Sequence, residues 1–154
     1  MSTKATFEQG QLQLQIFEMR REARLRQARD WFVKHFFADN MEDAMKVAPF
    51  GSEGGTFTMM VTGYWEMACA YLNHGLLNEN LFFETNGEFF GVWERIKPSV
   101  PGLRKMFSHD QYLGNMEKAA ERYEKWMEAR SPGHIAGMRE FMKQMEGQMK
   151  KAAA

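Results

Sequence analysis

The chain has 154 residues, 20 basic and 20 acidic side chains, four His and one Cys. That length supports a single domain with its own hydrophobic core, and zero formal charge argues against a polyanion binder that works through a basic excess. One Cys excludes an intramolecular disulfide framework and any thiolate-rich zinc or iron–sulfur site.

Residues 1–10 are expected to be a flexible N-terminus. Met1 to Leu14 holds no apolar core of the kind a targeting segment needs. The first long element runs from Gln11 to Phe37 without Gly or Pro. Its apolar residues recur at helical spacing (Leu14, Phe17, Leu25, Ala28, Phe32, Phe36), and a second run of Leu12, Ile16, Met19 and Ala23 lies beside them, so one long helix with contacts on two sides is predicted. A short helix, Met41 to Val47, follows an Asp39–Asn40 cap and stops before Pro49. Phe50 to Gly55 reads as a loop.

The next helix, Thr56 to Asn73, is apolar nearly all round with Glu66 its only charge, the pattern of a buried central helix. Three Thr, Gly63 and Glu66 interrupt its most apolar window, which falls short of the ~20 apolar residues of a membrane span. The expected location is the cytoplasm, with contact at the periphery of the inner membrane left open. Gly75 closes the helix, with Leu76 free to pack back on its end, and Asn78 caps the next, with Leu77 and Phe82 as a staple.

From Asn78 to Lys97 the pattern is helical but broken at Thr85-Asn86-Gly87. After Pro98 and Pro101, Ser108-His109-Asp110-Gln111 reads as a capping box that starts a helix running to Arg130. Ser131-Pro132 opens the last helix as cap and first-turn proline. No segment alternates with period two. The prediction is an all-α, compact bundle of about six to eight helices, with residues 11–130 as the helical domain and 131–154 as a Met-rich amphipathic helix and tail.

Candidate chemistry is sparse. His35, His74, His109 and His134 lie in four elements, and none follows a carboxylate at the spacing of a di-iron Glu-x-x-His pair. Cys69, between Ala68 and Ala70 on the apolar helix, reads as a core residue rather than a reactive thiol. Phosphate-loop, nucleophile-elbow and dinucleotide motifs are absent. No catalytic residue, metal site or cofactor is assigned.

Two strings look alike, Gly63-Tyr64-Trp65-Glu66 and Gly91-Val92-Trp93-Glu94. Trp65, Glu66, Trp93 and Glu94 are pocket candidates: the carboxylates could share a cleft for acid–base work, or each could bond a buried amide, indole or guanidinium. Adjacent helical residues point about 100° apart, which favours the packing role. The run Arg20, Arg21, Arg24, Arg26 and Arg29 interleaves with Glu18, Glu22 and Asp30. It reads as an internally paired face, with Glu18–Glu22–Arg26 and Arg26–Asp30 the natural partners, rather than a nucleic-acid site.

The last helix carries Ile135, Met138, Met142, Met145 and Met149 at alternating steps of three and four, widened by Phe141. This is a seam made to pack on another helix, and methionine suits an adaptable partner. Together with Leu12, Ile16 and Met19 these are the candidate interaction residues.

Tyr64-Trp65-Glu66-Met67, Asn73-His74-Gly75-Leu76-Leu77, Glu79 to Phe83 and Trp93-Glu94-Arg95-Ile96-Lys97-Pro98 together resemble a bacterial, all-helical family known only as a domain of unknown function. The resemblance spans roughly Arg20 to Tyr123. It implies a helical fold, often with membrane helices ahead of it, and transfers no catalytic residues.

The expected function is a non-enzymatic helical adaptor or accessory subunit, binding another protein or itself through its first and last helices, without nucleic acid. The alternative is a bundle that holds an apolar small molecule or lipid. An enzyme using Glu66 and Glu94 ranks third.

Overall fold

The computed structural model describes residues 4–154, which form an all-helical domain. In chain order the helices are α1 (Phe7–Arg20), α2 (Ala23–His35), α3 (Met41–Val47), α4 (Glu53–Asn73), α5 (Glu79–Thr85), α6 (Glu88–Ile96), α7 (Val100–Phe107), α8 (Gly114–Arg130) and α9 (His134–Ala153), with a 3₁₀ turn at Lys97–Ser99 between α6 and α7.

Helix α4 is the axis of the fold. It packs against α2 on one side and α8 on the other, burying Phe57, Val61, Tyr64, Trp65, Ala68, Cys69 and Leu72. Not every face is covered, since Met59 stays exposed. Beyond α4, rings from α5, α6 and α8 fill the core. Phe83 meets Phe89, Tyr123 and Trp126 at centroid separations of 5.3 to 6.0 Å. Edge-on and stacked aromatic contacts of this kind each add about 0.5–1.5 kcal/mol beyond area burial.

Several local signals act as read. Asn40 caps α3 by accepting from the Asp43 amide, and Asn78 caps α5 by accepting from the Leu81 amide. Gly75 takes φ 76° after α4, as the C-terminal turn requires, and the chain breaks between α5 and α6 at Asn86-Gly87. Leu76, however, stays exposed, and Leu77 is the residue buried at this corner.

The long first helix is corrected: it is two helices, broken at Arg21-Glu22. Glu22 accepts hydrogen bonds from the amides of Arg24 (2.9 Å) and Leu25 (2.8 Å), making itself the N-cap of α2. Those amides hold its carboxyl below the usual carboxylate range. In a straight helix Leu14 and Leu25 would lie within roughly 20° of one face. The break separates them, so Leu25, Ala28 and Phe32 enter the core while Leu14 does not.

Helix α1 also begins earlier than Gln11. Thr6 and Gln9 form a reciprocal capping box (3.0 and 3.1 Å), so part of the 1–10 segment is helical, and residues 1–3 lie outside the described residues.

Three further helix starts differ from expectation. Helix α4 begins at Glu53 on a Ser52 cap, taking most of the expected loop. Gly54 there lets the Trp31 ring approach the helix backbone closely, and a Cβ on Gly55 would strike the Pro49 carbonyl. Ser108 does not open α8. It ends α7 in the left-handed conformation (φ 51°), and α8 starts at Gly114 after a left-handed Leu113 (φ 57°). The expected staple survives as a ring contact, Phe107 to Tyr112 at 5.0 Å. Ser131 likewise ends α8, and α9 starts after Gly133, whose φ of 85° suits only glycine.

Candidate functional site

The pocket candidates Trp65, Glu66, Trp93 and Glu94 do not share one cleft. Trp65 is fully enclosed and Trp93 nearly so. Glu66 reaches from α4 to the start of α8, where its carboxylate accepts from the Asn115 amide (3.0 Å), the Asn115 side-chain amide (3.0 Å) and the Met116 amide (2.8 Å). This is a helix cap supplied by another helix. A negative charge at an N-terminus with open amides is stabilised by both the hydrogen bonds and the helix dipole. Glu94 instead accepts from Arg139 of α9 at 2.6 Å. The two carboxylates line separate grooves, Glu66 with His109 and Tyr112, Glu94 with Lys97 and Arg139.

The apolar cavity between α3, α4 and α7 measures about 30 Å³. Ligand pockets run to about 300–1,000 Å³, so this space holds little more than one water. A larger groove of about 660 Å³ lies beside the α4–α5 turn, lined mainly by Lys4, Thr6, Gln9, Asn73, Glu79 and Arg122. Arg122 is tied there to Glu79 (2.6 Å) and Asn73 (2.7 Å).

All four histidines are exposed, and among the described residues no group of His, Cys, Asp or Glu is placed to hold a metal ion. Cys69 is enclosed, and burial pushes its thiol far up.

The arginine run is paired, though not as the spacing suggested. Glu22 caps α2, with Arg26 near enough to favour its charge without a direct ion pair, and Asp30 meets Lys34. Arg29 instead forks onto Glu88 of α6 with bonds of 2.7 and 2.6 Å, and Arg20 joins it at 3.4 Å. The Glu88 carboxylate raises the Arg29 guanidinium above its usual range. Arg95, not singled out from the sequence, donates to the carbonyls of Phe32, Val33 and Phe36 and seals the end of α2. Burial pushes its guanidinium down.

The interaction candidates divide cleanly. On α9, Ile135 is 3% exposed, and Met138 packs against the core. Met142, Met145 and Met149 are half-buried, and only Phe141 stands out, at 60%. Arg139 holds Glu94 and Glu124, and Lys150 sits 5.5 Å above the Phe37 ring. The Met-rich side of α9 is thus turned to its own domain.

On α1 the arrangement is reversed. Ile16, 3% exposed, is its one buried residue, and Leu12 packs beside it. The Tyr64 hydroxyl donates to the Ile16 carbonyl (2.6 Å), and Gln13 donates to Thr85 (2.8 Å). Two enclosed polar atoms near this seat, Gln13 Oε1 and Trp65 Nε1, have no hydrogen-bond partner among the described residues.

The outward side carries Phe7 (77% exposed), Leu14 (65%) and Phe17, while Met19, also exposed, lies on the flank of Leu12 and Ile16. Phe7, Leu14 and Phe17 fall on one stripe with Gly10 between them. Phe7 was missed because it sits in the segment read as a flexible end. The Thr6–Gln9 capping box was the signal that could have found it.

A small all-α domain in which Glu66 of one helix caps another, and whose first helix presents Phe7 and Leu14 outward, is the class these features define. Residues 5–126 match the family model described as Domain of unknown function (DUF4760), and the chain belongs to that family. The match includes α1 and stops before α9. No curated protein and no solved structure matches the chain significantly. Among the described residues no helix is long and apolar enough to cross a membrane.

Proposed function

We propose that the protein is a non-enzymatic helical adaptor or accessory subunit whose contact surface is the outward side of α1. The observation that carries this reading is the stripe Phe7, Leu14 and Phe17, left exposed on a helix that buries one residue of its own. Covering a fully exposed side chain of the size of Leu14 would release up to about 1.5–3 kcal/mol, comparable to the burial of Ile16 on the inner side. Exposed clusters of this kind mark protein contacts. The reading differs from the sequence expectation in one respect: α9 is a part of the scaffold, and α1 carries the binding.

The test is capture from lysate of the native cell with Leu14→Glu/Phe17→Glu as the paired bait. Leu14 is exposed, while the Phe17 ring lies 4.8 Å from the Arg20 guanidinium, so the melting temperature of the double variant is measured beside that of the wild type to show that it stays folded. A stoichiometric partner held by the wild type and lost by the variant supports the reading. Equal capture by both baits overturns it.

A further inference from the structure

We propose that α1 is a hinged arm, which pivots at Arg21-Glu22 and lifts as a unit from its seat on α4 while the rest of the domain stays folded. The proposal concerns the same helix as the adaptor reading but rests on its inner side, so the two fail separately.

The hinge joins two helices that each complete their own ends. Helix α1 closes itself, with the Arg21 amide donating to the Glu18 carbonyl (3.0 Å) and the Glu22 amide to the Met19 carbonyl (3.3 Å). Helix α2 starts itself, through the Glu22 carboxylate on the amides of Arg24 and Leu25. The backbone groups that helix ends leave open are thus met without help from the core. Arg21 and Glu22 are both exposed, and a few such residues at element ends are what absorb a hinge motion.

The seat is polar where that of a scaffold helix is apolar. Gln9, Gln13 and Arg20 lie within roughly 60° of Ile16 around the helix, so they share its inner side, while Phe7 and Leu14 point away. No other helix runs closely along α1 as α2 and α8 run along α4. Three bonds cross the seat: Tyr64 to the Ile16 carbonyl, Gln13 to Thr85 and Arg20 to Glu88. On lifting, Glu88 keeps the Arg29 fork, and Thr85 keeps the Leu81 carbonyl and the Asn86 amide. The Tyr64 hydroxyl turns to water. Beneath the arm a donor and an acceptor, Trp65 Nε1 and Gln13 Oε1, are enclosed without a partner among the described residues, and lifting hydrates both. Burial of Ile16 and Leu12 opposes the motion and keeps the seated state dominant.

The test is native-state hydrogen exchange of the full chain, read by mass spectrometry in rising urea below the unfolding transition. Amides of residues 11–20 should exchange together, at least about a hundredfold faster than those of residues 57–72 in α4. Their rate should depend little on urea, because lifting exposes far less surface than unfolding. Protection should resume past the hinge, at residues 26–35. Fraying from the free end would instead give exchange that quickens steadily towards Phe7.

A tether isolates the motion of the arm. The Gln13 and Thr85 side chains meet at 2.8 Å. Gln13→Cys/Thr85→Cys bridged by a short bis-maleimide should slow exchange in α1 at least about tenfold against the same variant blocked with N-ethylmaleimide. Both samples lack the Gln13–Thr85 bond, so the bridge alone separates them, and the enclosed Cys69 takes neither reagent.

Exchange of α1 at the rate of α4, a fraying gradient along α1, or equal exchange in bridged and blocked samples overturns the proposal. An α1 that stays seated yet loses its partner on Leu14→Glu/Phe17→Glu overturns the arm and leaves the adaptor reading standing. An α1 that lifts but captures nothing overturns the adaptor reading and leaves the arm.

Discussion

Helices α1 and α9 carry apolar stripes of similar period, and the domain treats them in opposite ways. Helix α9 turns its stripe inward, burying Ile135, half-burying its methionines and fastening itself through Arg139 to Glu94 and Glu124. Helix α1 seats on Ile16 and Leu12 and turns Phe7, Leu14 and Phe17 outward. A stripe in a sequence states that a helix wants a partner. Whether that partner belongs to the same chain is decided by what else the helix face can bond. The Met seam lies beside Arg139, which bonds carboxylates on both α6 and α8, while Arg20 at the end of α1 reaches a single carboxylate, Glu88, at 3.4 Å.

The largest effect is expected where both helices depend on the same frame. Glu66→Ala leaves the start of α8 uncapped and the enclosed Met116 amide without its acceptor. A loss of about 3 kcal/mol follows, read as a fall in melting temperature of roughly 6–12 °C. A loss under about 0.5 kcal/mol would show that the cap contributes little.

The two helix seats come next. Ile135→Ala removes a core side chain and should cost about 2–4 kcal/mol of global stability. Ile16→Ala should act locally, accelerating hydrogen exchange in α1 while the global midpoint moves much less, because α1 has so little else holding it. Equal global effects from the two substitutions would break the comparison.

The smallest effect is alkaline. Burial pushes the Tyr64 phenol from 10.0 up to about 12. The folded protein holds this proton where the unfolded chain has released it. The contribution is therefore complete below pH 10 and is lost as pH rises through about 12. Exchange in α1 should rise across that window, since Tyr64 binds the Ile16 carbonyl. Tyr64→Phe should flatten the pH dependence that exceeds ordinary base-catalysed exchange without abolishing it, since burial also raises Tyr112 and Tyr123.

Periodicity and capping residues were enough to read the fold class, the central helix and the Asn40, Gly75 and Asn78 boundaries. They failed where a distant side chain overrode a local signal. Ser108-x-x-Gln111 is a sound capping box, yet Glu66, far off in the chain, takes the amides of α8 and moves its start to Gly114. The uninterrupted run from Gln11 to Phe37 hid its break because Glu22 favours a helix interior by propensity and ends one only when its carboxylate finds the two amides ahead of it. The candidate site was half legible. Ile16 and Leu12 were named as contacts and proved to be the inner seat, while the outward Phe7 and Leu14 stood in a segment read as flexible or on a stripe expected to face the core.

The adaptor claim is tested most directly by three baits in one capture experiment on native lysate: wild type, Leu14→Glu/Phe17→Glu, and Phe141→Glu. The account predicts that the wild type and Phe141→Glu hold the same protein and that Leu14→Glu/Phe17→Glu releases it. Release by Phe141→Glu with retention by Leu14→Glu/Phe17→Glu would contradict the account and move the contact surface to α9.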